Sequence, residues 1–568
     1  MSSYCLSFLS HGPVETAAAA IRLGGRWPVA VQHVLRARPK RASFRRSRTV
    51  LRGYASIVGT LVTPSGDDEI IAAAGKEASG FEPSMWRDFF INYEPKPLQA
   101  CRSEEWMVER AEKLKDDVRR LFETCDSTER RMQLVDAVQH LGTDHPFKEE
   151  IEYSLSEINA SEFISSSLHD VALRFRLLRQ HGFRVSLDVF NKFKGDDGRF
   201  VSGITDDPRG LLSLYNAAHL LTHDEPELEE AITFATQHLA SLSSGTDLNP
   251  HLIDQINRAL DVPLPKTFRR MESLFHMSEY RQEEGHIPIL LELAKLDFNL
   301  LQHVHLRELK AISEWWKDLY GYMGLSYIRD RVVESYVWSY VVFYEEGSAL
   351  ARMIFTKIIV FIILMDDTYD SYATIQECRK LNEAIQRWDE STTPFLPEYM
   401  KKFYRALLKT FKEFEIHVED DGQNRIDHTK KAVLDRGDAL TKEAFEWAAN
   451  ETSAKTACAK ITRFMNDITA FKLVRTVGDV ASTVECYMNE NKVTSEDAFT
   501  KIYSMIEDEW RTINQALCEQ RDLLPAVQQV LNLSICATFF YWKRKDAYTF
   551  SAHLQETVES LFVKPVPI

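Results

Sequence analysis

Apolar residues recur every three to four positions along most of the chain from about Ser84 onward, with charged residues between them. The segment Ser103–Phe122 shows this pattern, which returns at Leu211–Leu221, Glu227–Leu242 and Leu290–Leu301. Residues three and four positions apart lie on one face of an α-helix, so this spacing predicts amphipathic helices. Alternating patterns typical of strands are nearly absent. The sequence therefore predicts an all-α protein.

Glycine and proline fall mainly between the helical segments, as at residues 207–210, 249–250 and 262–265, where they mark helix ends. A change of domain is expected near His286–Pro288. The predicted organisation is a leader and linker at residues 1–80, an N-terminal helical domain at 81–286 and a C-terminal domain at 287–568. The absence of a short-period repeat disfavours a solenoid array.

One apolar segment ends in acids. Residues Ile358–Met365 run without a break into Asp366, Asp367 and, three positions later, Asp370. Asp366 and Asp370 share one helix face, and Asp367 lies about 100° away. Carboxylates beside a hydrophobic core at the C-terminal end of a helix are unfavourable without a cation. Oxygen ligands at this spacing suit Mg²⁺ completed by substrate phosphates; the alternative is a solvated acidic helix end.

Two arginines precede this segment. Arg329 and Arg331 are close enough to clamp a diphosphate through forked hydrogen bonds, although two surface arginines are the simpler interpretation. Arg331 and Trp338 are seven residues apart, which on a helix brings them within about 20° of the same face. An aromatic ring that stabilises cations could therefore lie beside an anion clamp.

Two further clusters complete the candidate chemistry. Arg463 and Asn466 share a helical stretch, and aromatic and charged residues near the C-terminus could line or cap a pocket. The latter are Tyr541, Asp546 and Tyr548. A solvated helix face and a surface loop are the respective alternatives. Taken together, a metal, an anion clamp and aromatic faces favour ionisation of a prenyl diphosphate and guidance of the carbocation in a dry pocket.

Composition excludes several classes of protein. The net charge of −15 gives no reason to expect a nucleic acid partner. Eight scattered cysteines without a Cys-x-x-Cys pair predict reduced thiols in an intracellular protein, and neither disulfides nor structural zinc. No apolar run approaches the roughly 20 residues of a membrane span. We expect no membrane span and a monomer.

The first 54 residues differ from the rest, because they hold ten arginines and lysines and only one acid, Glu15. Such a leader resembles an organelle transit peptide. A disordered tail and a wrongly assigned start codon are the alternatives. A low serine count weakens the transit-peptide interpretation.

The chain resembles plant terpene synthases of the class I type from about Phe81 to Ile568. Short sequence motifs similar to those of family members occur at several places: Phe81–Trp86, Leu211–Ala218, Phe298–Gln302, Trp315–Lys317 and Arg387–Asp389. The resemblance implies two α-helical domains, an N-terminal relic of a helical barrel and a C-terminal catalytic bundle. It also implies that the N-terminal domain is catalytically silent, because Ile204 replaces the first acid of the Asp-x-Asp-Asp motif used by related protonating cyclases.

The resemblance assigns roles to the candidate residues. The first magnesium motif would be formed by Asp366, Asp367 and Asp370, with Mn²⁺ as an alternative metal. The diphosphate would be held by Arg329, Arg331 and Arg463. Asn466 would begin the second metal motif and contact the diphosphate as well. Trp338 would be a wall of the active site, and Tyr541, Asp546 and Tyr548 would belong to its lid.

Two departures from the family pattern stand out. In the second metal motif, Asn466 is followed by Ala470 and Val474 where the family carries a hydroxyl or glycine and then a glutamate. Thr469 is one residue out of register and points about 100° away. A segment of roughly 45 residues, three to four average helices, is also missing near Asp435–Arg436. We expect one magnesium to bind weakly and the bundle to lack pocket-lining helices.

The leading prediction is a magnesium-dependent terpene synthase acting on farnesyl diphosphate. Monoterpene synthases carry an Arg-Arg pair where this chain has Lys76-Glu77, which favours a sesquiterpene product and the cytoplasm. The alternatives are a catalytically impaired or inactive terpene-synthase-like protein and a plastid monoterpene synthase using geranyl diphosphate. A chain-elongating prenyltransferase is disfavoured, because only one aspartate-rich motif is present.

Overall fold

The computed structural model describes residues 84–95, 103–245, 248–283, 285–414, 447, 450, 452–471 and 482–568, without the side chains of Glu346, Asp370 and Ser371. The predicted leader, the Asp435–Arg436 junction and Val474 lie outside the described residues. Within the described ranges, helices predominate and a single antiparallel β-bridge joins Lys194 to Phe200. The predicted all-α fold class is confirmed.

The α-helices of the first half of the chain have the following bounds: Phe89–Asn92, Glu104–Glu123, Thr128–His140, Lys148–Ala160, Leu168–Gln180, Pro208–Ala218, Pro226–Ser243, Pro250–Asp261 and Arg269–Tyr280. Those of the second half are Pro288–Met323, Val332–Val342, Ala349–Ser371, Ile375–Arg387, residues 398–414, Ser453–Ala470, Thr483–Asn491, Ser495–Glu519, Leu524–Tyr541 and Gln555–Val558. Short 3₁₀ turns connect many of them, and a π-helical turn covers Glu559–Val563.

The chain divides into two compact units. Among the described residues, the smaller unit consists of Ser84 and residues 315–330 and 357–414. The larger unit consists of residues 85–314, 331–356 and everything described from residue 447 onward. Two long helices, Pro288–Met323 and Ala349–Ser371, contribute residues to both units. The domain boundary expected near residue 286 stays a prediction.

Local side-chain chemistry sets the helix ends. At the start of the helix Pro208–Ala218, the Asp207 carboxylate accepts the backbone N–H of Gly210 at 2.8 Å. Proline at the first helical position suits this start, because its missing N–H is not needed there. A Cβ atom on residue 210 would lie only 2.1 Å from Asp207 Oδ2, so the close approach requires glycine. Asp207 is therefore a helix cap.

A buried ion pair fastens the helix Val332–Val342, here called the Trp338 helix. Arg352 is fully buried and donates from Nε and Nη2 to Glu308 at 2.8 and 2.7 Å. The Tyr336 hydroxyl, on the Trp338 helix, donates to the same Glu308 carboxylate at 2.8 Å. Because burial makes an unpaired charge costly, this network holds the Trp338 helix to the Glu308–Arg352 ion pair.

One stretch of the described residues, Arg521–Arg544, is long and apolar enough to cross a membrane by length and composition. More than half of its most apolar window, 56%, is buried inside the fold. Such burial is typical of a core helix, so this stretch is weak support for a membrane span.

Several histidines of the larger unit are buried. Burial lowers the pKa of His181 to about 4 and that of His276 to about 3. The pKa of the neighbouring His140 is lowered for the same reason, although Asp136 opposes the shift. The His140 and His276 rings lie with their centroids 4.9 Å apart. These imidazoles are therefore neutral near pH 7.

This burial predicts acid sensitivity. The pKa of His276 is lower in the folded than in the unfolded protein, so its contribution to stability is present above pH 6.5 and is lost as the pH falls. From pH 7.5 to 5.0 we expect the wild-type unfolding free energy to fall by roughly 2 kcal/mol more than that of His276→Phe, measured by urea denaturation. The exposed His553→Phe should keep the wild-type slope. Equal slopes in wild type and His276→Phe would contradict the prediction.

Candidate active site

The helix Ala349–Ser371, here called the aspartate helix, carries the predicted acidic motif. Every residue from Ile358 to Met365 is buried, and Asp366 and Asp367 are only 3% and 2% exposed. The carboxylates thus continue the apolar run into the interior of the smaller unit. Asp370 lies on the same helix, but its side chain is outside the described ones.

Arg329, predicted to clamp a diphosphate, supplies a positive charge beside these acids. Its backbone N–H donates to Asp367 Oδ2 at 2.8 Å, and its Nε donates to Asp367 Oδ1 at 2.7 Å. Its Nη2 donates to Asp366 Oδ2 at 3.1 Å. Charge-assisted, forked contacts of this kind are the strong class of hydrogen bond. Arg329 and two of the three predicted acids therefore form one network.

Burial raises the pKa of Asp367, against the lowering effect of Arg329, and the neighbouring Asp366 carboxylate adds to the rise. Two carboxylates placed side by side in an apolar interior favour a positive charge between them. The site thus has the electrostatic character of a cation-binding centre.

The described acids fit a hard divalent cation. Carboxylate oxygens are the ligands that Mg²⁺ and Mn²⁺ take, and both oxygens of Asp367 also accept hydrogen bonds from Arg329. Among the side chains that the structure describes, no group of three or more His, Cys, Asp or Glu is arranged around a metal, but Asp370 was not among them. Asp366 and Asp367 would therefore need a further ligand, which Asp370 or substrate phosphate oxygens can supply.

Two tyrosines that the sequence analysis did not predict lie beside the acidic motif. The Tyr327 hydroxyl lies 3.1 Å from Thr368 Oγ1, inside the acidic motif, and Tyr327 stacks on Tyr372 with centroids 4.0 Å apart. Burial raises the pKa of Tyr327 to about 12. The sequence signal was weak, because Tyr327 lies far from the motif along the chain.

Arg331 has different partners in the larger unit. Its side chain is 3% exposed, and its Nη2 and Nε donate to the Thr549 carbonyl at 2.8 and 3.3 Å. Arg331 also precedes the Trp338 helix, and its carbonyl accepts the Ser335 hydroxyl at 2.8 Å. Ser335 Oγ lies 2.9 Å from the Tyr548 hydroxyl. Arg331 therefore ties the C-terminal segment to the start of the Trp338 helix.

Trp338 is completely buried in an aromatic cluster of the larger unit. Its ring stacks on Phe540 with centroids 5.0 Å apart, and the edges of Tyr541 and Tyr548 approach it at 6.4 Å each. Its indole Nε1 has no hydrogen-bond partner among the described residues. The three predicted aromatics thus come together, and Phe540 is a member that the sequence analysis missed although it adjoins Tyr541.

Asp546 shapes the backbone beside this cluster. Its Oδ1 accepts the backbone N–H groups of Tyr548 at 3.1 Å and Thr549 at 2.8 Å, and the residue is 9% exposed. Such a contact from an aspartate to the backbone two or three residues on stabilises a tight turn. The turn sets the position of the Tyr548 ring and of the Thr549 carbonyl that receives Arg331.

The predicted cluster around Arg463 and Asn466 is only partly covered by the described residues. Arg463 Nε lies 3.0 Å from Asp467 Oδ1, and the other Asp467 oxygen accepts from the backbone and hydroxyl of Thr483. Asp467 thus anchors the start of the next helix. Asn466 is 8% exposed and lies on the same helix, Ser453–Ala470.

Thr469 is not a direct substitute for the hydroxyl that the second metal motif lacks at Ala470. Its Oγ1 donates to the Met465 carbonyl, one turn back, at 2.8 Å. This bond directs the hydroxyl along its own helix.

The described residues thus hold buried carboxylates beside an arginine and a buried aromatic cluster on a largely helical framework. Two family profiles match the chain. The profile "Terpene synthase, N-terminal domain" matches residues 85–260, and "Terpene synthase family, metal binding domain" matches residues 317–437 and 432–512. The chain belongs to the terpene synthase family, and its predicted two-domain α-helical fold is confirmed.

Characterised relatives agree with this assignment. Tau-cadinol synthase of Zea mays is 46% identical over 538 residues, which cover 86% of this chain and 98% of the relative. (S)-beta-bisabolene synthase of Zingiber officinale is 38% identical over 552 residues, or 89% of this chain and 99% of the relative. Isoprene synthase from grey poplar, in complex with three Mg²⁺ ions and dimethylallyl-S-thiolodiphosphate, is 28% identical with a TM-score of 0.71, covering 82% of this chain and 98% of that one.

The comparison with the maize enzyme also bears on the missing segment. Since 86% of 568 residues is about 488, an alignment of 538 residues leaves about 50 positions of the relative without a counterpart here. The metal-binding profile matches in two parts that meet at residues 432–437. The absence predicted near Asp435 stays a prediction, because the aligned lengths do not locate the missing positions and Asp435 lies outside the described residues.

Asp546 allows a test that separates positioning from proton transfer. Asparagine keeps the oxygen that accepts the two backbone N–H groups, whereas alanine removes it. We expect Asp546→Ala to lower turnover of the diphosphate substrate on the order of 10-fold or more, because Tyr548 loses its position, and Asp546→Asn to retain most of it. Diphosphate release measures both. Equal loss in the two variants would instead assign the carboxylate an acid–base role.

Proposed function

We propose that this protein is a magnesium-dependent sesquiterpene synthase, which converts farnesyl diphosphate into a sesquiterpene and diphosphate. The observation that carries the proposal is the buried Asp366–Asp367 pair bound to Arg329. The names of the maize and ginger relatives, both sesquiterpene synthases, support the C15 substrate. The Lys76-Glu77 pair in place of two arginines supports it further.

Each described cluster has a part in this proposal. Bound Mg²⁺ would supply positive charge to stabilise the leaving diphosphate. Asp366 and Asp367, with Asp370, would hold the ion, while Arg329 keeps Asp367 in place. In this proposal the rings of Trp338 and Tyr548 would offer their negative faces to the carbocation.

Substrate and metal are tested together. Purified protein is incubated with farnesyl or geranyl diphosphate, with Mg²⁺ or with EDTA, and hexane extracts are analysed by gas chromatography. We expect a C15 product only with the farnesyl substrate and Mg²⁺, and a loss of at least about 100-fold in Asp366→Ala, since its carboxylate is a metal ligand in this proposal. A product from geranyl diphosphate alone would overturn the substrate assignment.

A second candidate is a protein that keeps the fold but has impaired or no catalysis. The observation that favours it is the absence of about 50 aligned positions, together with Ala470 and Val474 in the second metal motif. The described acidic and aromatic clusters would then be retained while one side of the metal site is incomplete.

The two causes of impairment, the altered second metal motif and the missing segment, lead to different expected results. Replacing Ala470→Ser and Val474→Glu together restores the family's ligand types, so turnover should rise about 10-fold or more if only the metal site limits the reaction. The single variant Thr469→Ala, which removes a hydroxyl already bonded to its own helix, serves as a matched control and should change little. Continued silence of the double variant, measured by the same extracts, would point to the missing segment as the cause.

A further inference from the structure

The acidic motif lies near the end of a helix, where a helix holds its own residues least firmly. The aspartate helix ends at Ser371, so Asp366 and Asp367 lie within its last two turns. The last four carbonyl groups of an α-helix lack regular partners within it, and helix ends fray. These four begin at Thr368, directly after the two acids. A metal site at this position therefore needs support from outside the helix.

Tyr327 gives such support through Thr368. The two hydroxyl oxygens lie 3.1 Å apart, and both residues are 3% exposed. Thr368 Oγ1 also lies 2.6 Å from the Leu364 carbonyl oxygen. A carbonyl can only accept, so the single proton of the threonine hydroxyl is used in that contact. The proton between the two hydroxyls therefore comes from Tyr327, which donates to Thr368.

The Tyr327 ring is held by two other tyrosines. It stacks on Tyr372 with ring centroids 4.0 Å apart and ring planes 9° apart. The edge of Tyr399 approaches both rings, with its centroid 6.4 Å from that of Tyr327 and 5.0 Å from that of Tyr372. Stacked and edge-to-face arrangements are the ones that aromatic rings favour. The direction of the Tyr327 hydroxyl is therefore set by ring packing, and phenylalanine at this position would keep that packing and lack only the hydroxyl.

The loop that carries Tyr327 is itself anchored within the smaller unit. Asp330 Oδ1 accepts the indole N–H of Trp316 at 2.8 Å. Trp316 belongs to the part of the helix Pro288–Met323 that lies in this unit. Tyr327 is therefore attached to a fixed segment and can restrain the end of the aspartate helix.

The contacts of Arg329 with the motif differ in kind from that of Tyr327. The Arg329 guanidinium is bound to the Asp367 carboxylate by charge, and a metal ion or a diphosphate changes the charge around both groups. The bond from Tyr327 to Thr368 joins two neutral hydroxyls. It can hold the turn whichever ions the site contains.

We propose that Tyr327 is a positioning residue of the metal site, which holds the end of the aspartate helix so that Asp366 and Asp367 present their carboxylates to the ion. This role rests on the proposed function, because it requires these acids to bind a metal. Tyr327 touches neither the ion nor the substrate and acts through Thr368. Without the bond, the ion must order the turn itself, so part of its binding free energy is lost.

The test measures Mn²⁺ binding to the full-length protein by electron paramagnetic resonance, which detects the free ion. Binding that is lost in Asp366→Ala is assigned to the acidic motif, which separates it from ions attracted by the net charge of −15. For this fraction we expect Tyr327→Phe to raise the dissociation constant about 2- to 12-fold, the range of one neutral hydrogen bond. Thr368→Val should do the same, whereas Thr368→Ser, which keeps a hydroxyl, should bind like the wild type.

The matched control is Tyr399→Phe, which should keep the wild-type affinity. The Tyr399 hydroxyl donates to Glu377 at 3.2 Å, so this variant loses a hydroxyl from the same group of rings but not the contact with Thr368. Combining Tyr327→Phe with Thr368→Val should weaken binding no more than either change alone, because both remove the same bond.

The outcomes separate this role from the proposed function. Wild-type affinity in Tyr327→Phe, with binding lost in Asp366→Ala, would overturn the positioning role and leave the proposed function standing. Equal weakening by Tyr399→Phe would also overturn the role, since the loss would then come from the rings as a group. Identical Mn²⁺ binding by the wild type and Asp366→Ala would overturn the proposed function, and the role of Tyr327 with it.

Discussion

The burial of two adjacent carboxylates against an apolar helix is the constraint on which the candidate site depends. Asp366 and Asp367 end a run of eight buried residues, and a negative charge there is tolerated only with a positive partner. Arg329 meets that need through its backbone and its guanidinium together. Because one of these contacts comes from the Arg329 backbone, the acidic motif also fixes the chain at that residue.

The sequence was sufficient for the fold class and for the identities of the main chemical groups. Helical periodicity needs only local information, and the abrupt change from Met365 to Asp366 is visible in any window of the chain. The pairing of Arg329 with Asp367 was not predicted, because Arg329 had been assigned to a diphosphate and Asp367 to a metal. What local reasoning could not supply were contacts between distant segments, such as Tyr327 with Thr368 or Ser335 with Tyr548. Such contacts depend on how distant segments pack together, which the local pattern of hydrophobic and polar residues does not specify.

The roles of individual residues were harder to predict than their presence. Arg331 has the chemistry of a diphosphate clamp, yet its guanidinium holds the Thr549 carbonyl. Asp546 has the chemistry of an acid or base, yet its oxygen fastens a turn. In each case the side chain bonds to backbone groups of the segment Tyr548–Thr549. A residue type in a motif thus predicts which chemistry the side chain can perform, whereas the surrounding backbone determines which groups the side chain contacts.

Asp207 illustrates what this means for tracing descent. It is the last acid of the tetrad in which Ile204 has displaced the first, and it now closes the amino end of a helix by bonding Gly210. The helix cap by itself accounts for an acid at this position, because the carboxylate bonds an N–H that the helix start leaves unpaired. The presence of Asp207 is therefore no evidence of protonation chemistry, because its structural role explains the residue equally well.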